Sequence, residues 1–221
     1  MTYKVVITGA NRGIGLALTK HYLARGDEVV ALCREASENL RATNACLIEN
    51  VDVSDASNIS ALAGDPRLDE IDVLINNAGI LHSDSLGDIN YSDIRQQLEV
   101  NAIAPLNVTE ALLGKLKSKS KVALITSRMG SINDNTSGGY YGYRMSKAAL
   151  NAAGQSLARD LQSRGIAVAI LHPGFVQTDM VNRAGDISAD TASERLAQRI
   201  EELNINNTGT FWHANGEVLP W

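Results

Sequence analysis

Val5-Val6-Ile7-Thr8-Gly9-Ala10-Asn11-Arg12-Gly13-Ile14-Gly15 is the stretch from which the architecture follows. An apolar β-branched run enters a turn with three glycines, and a helix-forming segment begins at its end. Glycines in such a place let the backbone approach a pyrophosphate, and the helix N-terminus adds unpaired N–H groups and the positive end of its dipole. The spacing, Gly9-x-x-x-Gly13-x-Gly15, departs from the plain G-x-G-x-x-G pattern. A tight strand-to-helix connection is its second reading, and its place in the chain favours the first.

Outward from this turn, apolar strand-like runs alternate with helical patterns: residues 5–8, 29–33, 46–48 or 51–53, 73–75, 122–126 and 166–171, with a further strand near Thr210. Several are apolar without interruption, as strands covered on both faces are, which predicts a parallel sheet between two layers of helices. Gly26 closes the first helix and Gly165 follows the helix bearing Tyr143. Ser54 is expected to cap a helix near residues 55–63, and Ser92 one that starts at Asp93. No linker interrupts the pattern, so residues 1–221 are expected to form one α/β domain, with residues 175–204 as its substrate-loop region.

Composition narrows the functions. Of 221 residues 44% are hydrophobic and 20% charged, as in ordinary globular chains. A formal charge of −5 without a basic run argues against nucleic acid as partner. No apolar run has membrane-spanning length, and a strand beginning at residue 5 leaves no room for a leader, so a cytoplasmic protein off the membrane is expected. Cys33 and Cys46 form no CxxC pair and there is no histidine cluster, which predicts buried free thiols and no metal.

Tyr143 and Lys147, four apart near the head of a helical run, share one helix face. A lysine beneath a phenol favours its ionised form, and the expected result is a tyrosine that exchanges a proton near neutral pH. The bare motif also describes a surface tyrosine lying along a lysine stem. Tyr140 and Arg144 have the same spacing, but Gly138-Gly139 and Gly142 place Tyr140 before the helix. At the end of the second strand, where NAD enzymes usually carry an acid, stands Cys33-Arg34. Arg34 and Arg12 together suit a 2′-phosphate, which favours NADP(H) over NAD(H), unless both arginines are simply solvated.

Other positions carry paired readings. Asp52, followed by Val53, accepts from an adenine amino group or caps the next helix. Asn76-Asn77-Ala78-Gly79 ties strands and admits close backbone approach, or is only a turn. Pro105, inside a helical pattern over residues 93–116, has no N–H for the carbonyl of Asn101; the freed carbonyl anchors a water in a proton path, or the helix merely kinks. Ser127 ends the fifth strand, where its hydroxyl either meets a substrate carbonyl or serves a turn. No G-x-S-x-G elbow occurs, none of the four histidines is an obvious base, and His172 before Pro173-Gly174 reads as structural.

In this order, the glycine turn, Asn76-Asn77-Ala78-Gly79, Asn101, Ser127, Tyr143-x-x-x-Lys147 and Pro173-Gly174 resemble the short-chain dehydrogenase/reductase family over nearly the whole chain. Gly130-Ser131-Ile132, Gly138-Gly139-Tyr140, the run from Tyr143 to Asn151, Thr178-Asp179-Met180 and the ending Asn215-Gly216 to Trp221 look like its C-factor/Sniffer-like carbonyl reductase branch. The resemblance implies a Rossmann-type, doubly wound parallel sheet of seven strands with helices on both faces. It implies a catalytic tetrad of Asn101, Ser127, Tyr143 and Lys147, with Asn101 placing the water that refills the proton. It places NADP(H) on Gly9, Asn11, Arg12, Gly13, Ile14 and Gly15, on Arg34, Asp52 and Val53, and on Asn77, Ala78 and Gly79. Tyr143, Lys147, Pro173, Gly174, Val176 and Thr178 complete that set, Thr178 matching the residue that touches the carboxamide. A homodimer or homotetramer through the helices beginning near Asp93 and Tyr143 is implied too.

Ser127 and Tyr143 are 16 positions apart, a few more than in most members, because of the loop from Asn133 to Gly139. A substrate loop over residues 175–185 is polar and contains Gly185, and is expected to move and close. Phe175, Val176 and Met180 are expected to form an apolar wall, which suits small or planar hydrophobic carbonyl compounds and their alcohols. No arginine or lysine falls within residues 175–182 and Arg183 is the nearby cation, so anionic substrates are disfavoured. The branch also allows a cofactor-bound signalling protein with incidental redox activity; retention of the whole tetrad favours an enzyme.

Overall fold

Apolar runs with few charges need cover on both faces, and an all-parallel sheet meets that need. The computed structural model describes residues 2–221. Its strands are β1 (Lys4–Thr8), β2 (Glu28–Leu32), β3 (Cys46–Ile48), β4 (Ile71–Asn76), β5 (Leu116–Ile125), β6 (Ala167–His172) and β7 (Phe211–His213). They form one seven-stranded sheet in the order β3-β2-β1-β4-β5-β6-β7, every pairing parallel. Helices α1 (Gly13–Ala24), α2 (Glu38–Arg41), α3 (Ala56–Leu62), α4 (Tyr91–Leu98), α5 (Ala104–Ala111), α6 (Tyr141–Asp160) and α7 (Ala189–Glu202) connect them. Among the described residues no helix is long and apolar enough to cross a membrane.

Strand residues alternate between two cores. Val6, Leu74, Val122 and Val168 face Ile59, Val108 and Leu150 from α3, α5 and α6. Val5, Ile7, Val73 and Ala169 face Leu18, Tyr22, Leu196 and Ile200 from α1 and α7. The strand order reverses direction between β1 and β4, and the crevice beyond their carboxyl ends is where such sheets bind ligands.

Several local expectations change. Of the two readings of the third strand, Cys46–Ile48 is the one found, and after it the Val51 N–H donates to the Cys33 carbonyl at 3.0 Å before the chain leaves the sheet. Asp55 caps α3, accepting from the Ser57 N–H at 2.8 Å, because Ser54 is turned onto Asp52. Asn90, not Ser92, caps α4, accepting from the N–H groups of Ser92 and Asp93. The expected single kinked helix over residues 93–116 is α4, a π turn at Glu99–Ile103, and α5. Pro105 cannot donate back to residue 101, and the π turn lies where that bond is missing. Cys33 is buried but Cys46, on the edge strand, is only half-buried.

Candidate active site

The phosphate end of the crevice is fixed by close backbone contact. A Cβ on Gly15 would lie 2.2 Å from the Gly9 carbonyl oxygen and 2.6 Å from Asn77 Nδ2, so only glycine fits. Asn77 Nδ2 donates to the carbonyls of Thr8 at 3.0 Å and Gly9 at 3.1 Å, while Thr8 Oγ1 accepts from the N–H groups of Asn77 and Ala78. The ends of β1 and β4 are thereby tied together. Arg12 is the N-cap of α1 and its side chain makes no capping bond, which leaves first-turn amides at a cleft of about 500 Å³ that Gly13 and Ile14 line. Uncapped amides at a helix start fit a pyrophosphate.

Gly9, Asn11 and Arg12 line the same cleft, as do Arg34, Asp52 and Val53 at one end and Asn77, Ala78 and Gly79 along the strand ends. Tyr143, Lys147, Pro173 and Thr178 line it too. Both candidate phosphate ligands thus face one cavity. Arg12 stands 4.0 Å from Asp179 with its side chain 71% exposed. Asp52 Oδ1 accepts from the N–H and hydroxyl of Ser54, bonds that hold its carboxyl below the usual range.

Five predicted residues do not line the cleft. Gly15 packs behind the turn. Ser127 and Asn101 are buried, at 7% and 0% exposure. Gly174 turns the chain at φ +95°, and Val176 is buried at 5% and bridged to Ile187, so Val176 is no part of an apolar wall. Met180 does line the cleft, and Phe175 is 47% exposed. A Cβ on Gly185 would sit 2.3 Å from the Gln177 nitrogen, so its smallness serves close packing against residues 175–177. Glu35, Gln96 and Asp179 line the cleft without having been singled out as ligands. Asp179 had a sequence signal, beside Thr178; Glu35 and Gln96 had none.

At the other end, Tyr140 is left-handed at φ +51°, so α6 starts at Tyr141, as Gly138-Gly139 indicate. Arg144 donates to the carbonyls of Gly139 and Met129 and to Ser137 Oγ, leaving Tyr140 out of any catalytic pair. Lys147 Nζ lies 5.8 Å from the centroid of the Tyr143 ring and donates to the Ile125 carbonyl at 2.9 Å. Ser127 stands beside the Tyr143 phenol, and its Oγ accepts from the Met129 N–H at 3.1 Å. Asn101 Oδ1 accepts from the Ile80 N–H at 2.8 Å, and its Nδ2 donates to the Ile80 carbonyl and to Ser146 Oγ. His172 is structural: its ring meets His213 edge-on at 4.9 Å, and burial lowers its pKa to about 3.

The proton chemistry differs from the expectation in one respect. Burial pushes the Tyr143 phenol above its ordinary range, and the neighbouring Ser127 hydroxyl only partly opposes it. Burial also holds the Lys147 ammonium down to about 8, which leaves it mostly charged at neutral pH. At neutral pH the site therefore holds a protonated phenol above a mostly charged lysine.

A glycine turn at the β1/β4 switch point and a buried serine–tyrosine–lysine group at the far end of one cleft define a nucleotide-dependent oxidoreductase. The sequence pattern of the short chain dehydrogenase family matches residues 3–189, and the chain belongs to that short-chain dehydrogenase/reductase family. It is 36% identical over 98% of its length, and 99% of the other's, to 1-hydroxy-2-glutathionyl-2-methyl-3-butene dehydrogenase of Rhodococcus sp. (strain AD45). It is 44% identical to C-signal of Myxococcus xanthus over 68% of this chain and 93% of the other. Carbonyl reductase Sniffer of D. melanogaster superposes over the full length of both chains with a TM-score of 0.92 at 29% identity. An NADPH-bound carbonyl reductase from chicken fatty liver does so over 100% of this chain and 99% of its own, at 0.91 and 30%. Within the family the chain falls in the C-factor/Sniffer-like branch.

Proposed function

We propose that the chain interconverts small or planar hydrophobic carbonyl compounds and their alcohols, with NADP(H) preferred over NAD(H) and Tyr143 as general acid and base. The observation that carries this reading is the meeting of Tyr143 and Lys147, with Ser127 buried beside the phenol, at one end of a cleft whose other end offers free helix amides and two arginines. Bound NADP(H) supplies or accepts the hydride at the carbonyl carbon. Ser127 holds the substrate oxygen by its hydroxyl. Tyr143, protonated at neutral pH, gives that oxygen a proton in reduction and takes one in oxidation. Lys147 lies against the phenol and steadies the phenolate that forms. Asn101 holds the backbone of Ile80 beside the cleft, and its main-chain carbonyl, which Pro105 cannot serve, is the anchor for the water that returns the proton.

Arg12, Arg34 and the absence of an acid at Cys33 support NADP(H), as does the NADPH bound to the chicken reductase. Exposed Ile103, Leu106 and Met145 on the π turn, α5 and α6 support a homodimer or homotetramer through these elements. The protein works in the cytoplasm on a small-molecule substrate, without nucleic acid or membrane as partner. The likeness to C-signal favours a second reading, a signalling protein in which redox chemistry is incidental. NADPH consumption against aldehydes, ketones, quinones and a glutathionyl compound separates the two. The enzyme reading expects turnover of several hydrophobic members and none by Tyr143→Phe. No turnover of any, with NADPH bound, leaves the signalling reading.

A further inference from the structure

The segment after β4 is held at every second residue. Ile80 is clamped by the side chain of Asn101, and the His82 N–H donates to Gln97 Oε1 at 2.9 Å. Asp84 is the third anchor, and it grips a different element. Its backbone carbonyl accepts from the Tyr140 N–H at 2.9 Å, and its carboxylate accepts from the N–H groups of Tyr141 at 2.5 Å and Gly142 at 3.1 Å. Helix α6 has no cap of its own, since Tyr140 is left-handed and its side chain makes no capping bond. The first-turn amides of a helix need acceptors from elsewhere, and here they come from a residue 57 positions back in the chain.

Tyr143 is the next residue after Gly142, in the same first turn. That turn is wedged: a Cβ on Gly142 would lie 2.6 Å from Gln97 Nε2 and 2.9 Å from the Ile94 side chain. Lys147, one turn further along, has its own anchor on Ile125. The phenol therefore depends for its position on how the start of α6 is tied down, whereas the ammonium does not.

We propose that Asp84 is a positioning residue for the reaction: by capping α6 from the strap of residues 80–84, it sets where the Tyr143 phenol stands relative to Ser127 and Lys147. The proposal rests on the reading of Tyr143 as the proton donor. Without the carboxylate the first turn of α6 loses two acceptors and shifts, and misplacement of a reacting group by about 1 Å costs on the order of 100-fold in rate. The phosphate end of the cleft, built on Gly15, Asn77 and Thr8, shares no bond with Asp84.

The test compares kcat, KM and NADPH binding for Asp84→Ala, Asp84→Asn and Tyr143→Phe. Asp84→Ala is expected to lower kcat roughly 10- to 100-fold with NADPH affinity within about twofold of wild type. Asp84→Asn, which keeps one acceptor oxygen but turns an NH2 donor toward the other amide, recovers kcat in part, to a value between those of alanine and wild type. Should the alanine variant not fold, Asp84→Glu takes its place, since one extra methylene moves the carboxylate and lowers kcat. Wild-type kcat in Asp84→Ala or Asp84→Glu, loss of NADPH binding together with kcat, or failure of asparagine to rescue each overturn the proposal. An active Tyr143→Phe would instead overturn the reading on which it rests.

Discussion

Lys147 is 5% exposed and its pKa is held to about 8, against about 10.4 in an unfolded chain. Between those values the unfolded chain binds one proton more than the folded one, so stability rises with pH across that window and the full penalty is present below it. Measured against Lys147→Met, the unfolding free energy of the cofactor-free wild type should gain roughly 2 to 3 kcal/mol from pH 8 to pH 10. A difference that does not change with pH contradicts the buried-ammonium account. Arg34 tests the cofactor end. Hydrogen bonds to charged groups contribute about 1.5 to 3 kcal/mol, so Arg34→Ala should weaken NADPH binding by roughly tenfold or more and leave NADH nearly unaffected in titrations. Equal losses for both cofactors speak against a 2′-phosphate contact. The i, i+4 spacing made the Tyr143–Lys147 pair legible in the sequence. Its proton affinities were not, because they depend on how deeply the helix is buried and on the Ile125 carbonyl.

Among the elements, the strand-turn-helix at residues 4–15 was legible because a β-branched run and glycines act locally. Gly15→Ala brings a methyl group against the Gly9 carbonyl and Asn77 Nδ2, and overpacking of this kind costs on the order of 3 kcal/mol. In a domain of this size, that is a melting temperature lowered by roughly 6 to 12 °C, with NADPH binding lost as the turn moves. An unchanged melting curve contradicts the contact. Caps were harder to read. Asp55 and Asn90 stand one and two positions from the serines that the pattern favours, and the cap of α6 comes from Asp84, far outside any local window. Pro105 announced a break, but a π turn rather than a kink follows from the packing around Asn101. Gly185 also serves the close approach of two chain segments, which a local pattern does not show.

For the molecule as a whole, the alternation of strands and helices indicates a parallel sheet, and the resemblance indicates seven strands. The strand order, which puts the glycine turn and Tyr143 on one cleft, is a property of the assembled sheet. The apolar face of Ile103, Leu106 and Met145 predicts a homodimer at micromolar concentration by light scattering, and Ile103→Asp is expected to yield monomers. A monomeric wild type removes that interface. The central claim is that Tyr143 protonates a substrate oxygen while hydride passes from a nicotinamide held in the same cleft. Deuterium transfer from NADPH labelled at the nicotinamide C4 into the alcohol product, measured for wild type and Tyr143→Phe at matched cofactor occupancy, tests it most directly. The prediction is labelled alcohol from the wild type and none above background from the variant. Label transferred by Tyr143→Phe at the wild-type rate would contradict it.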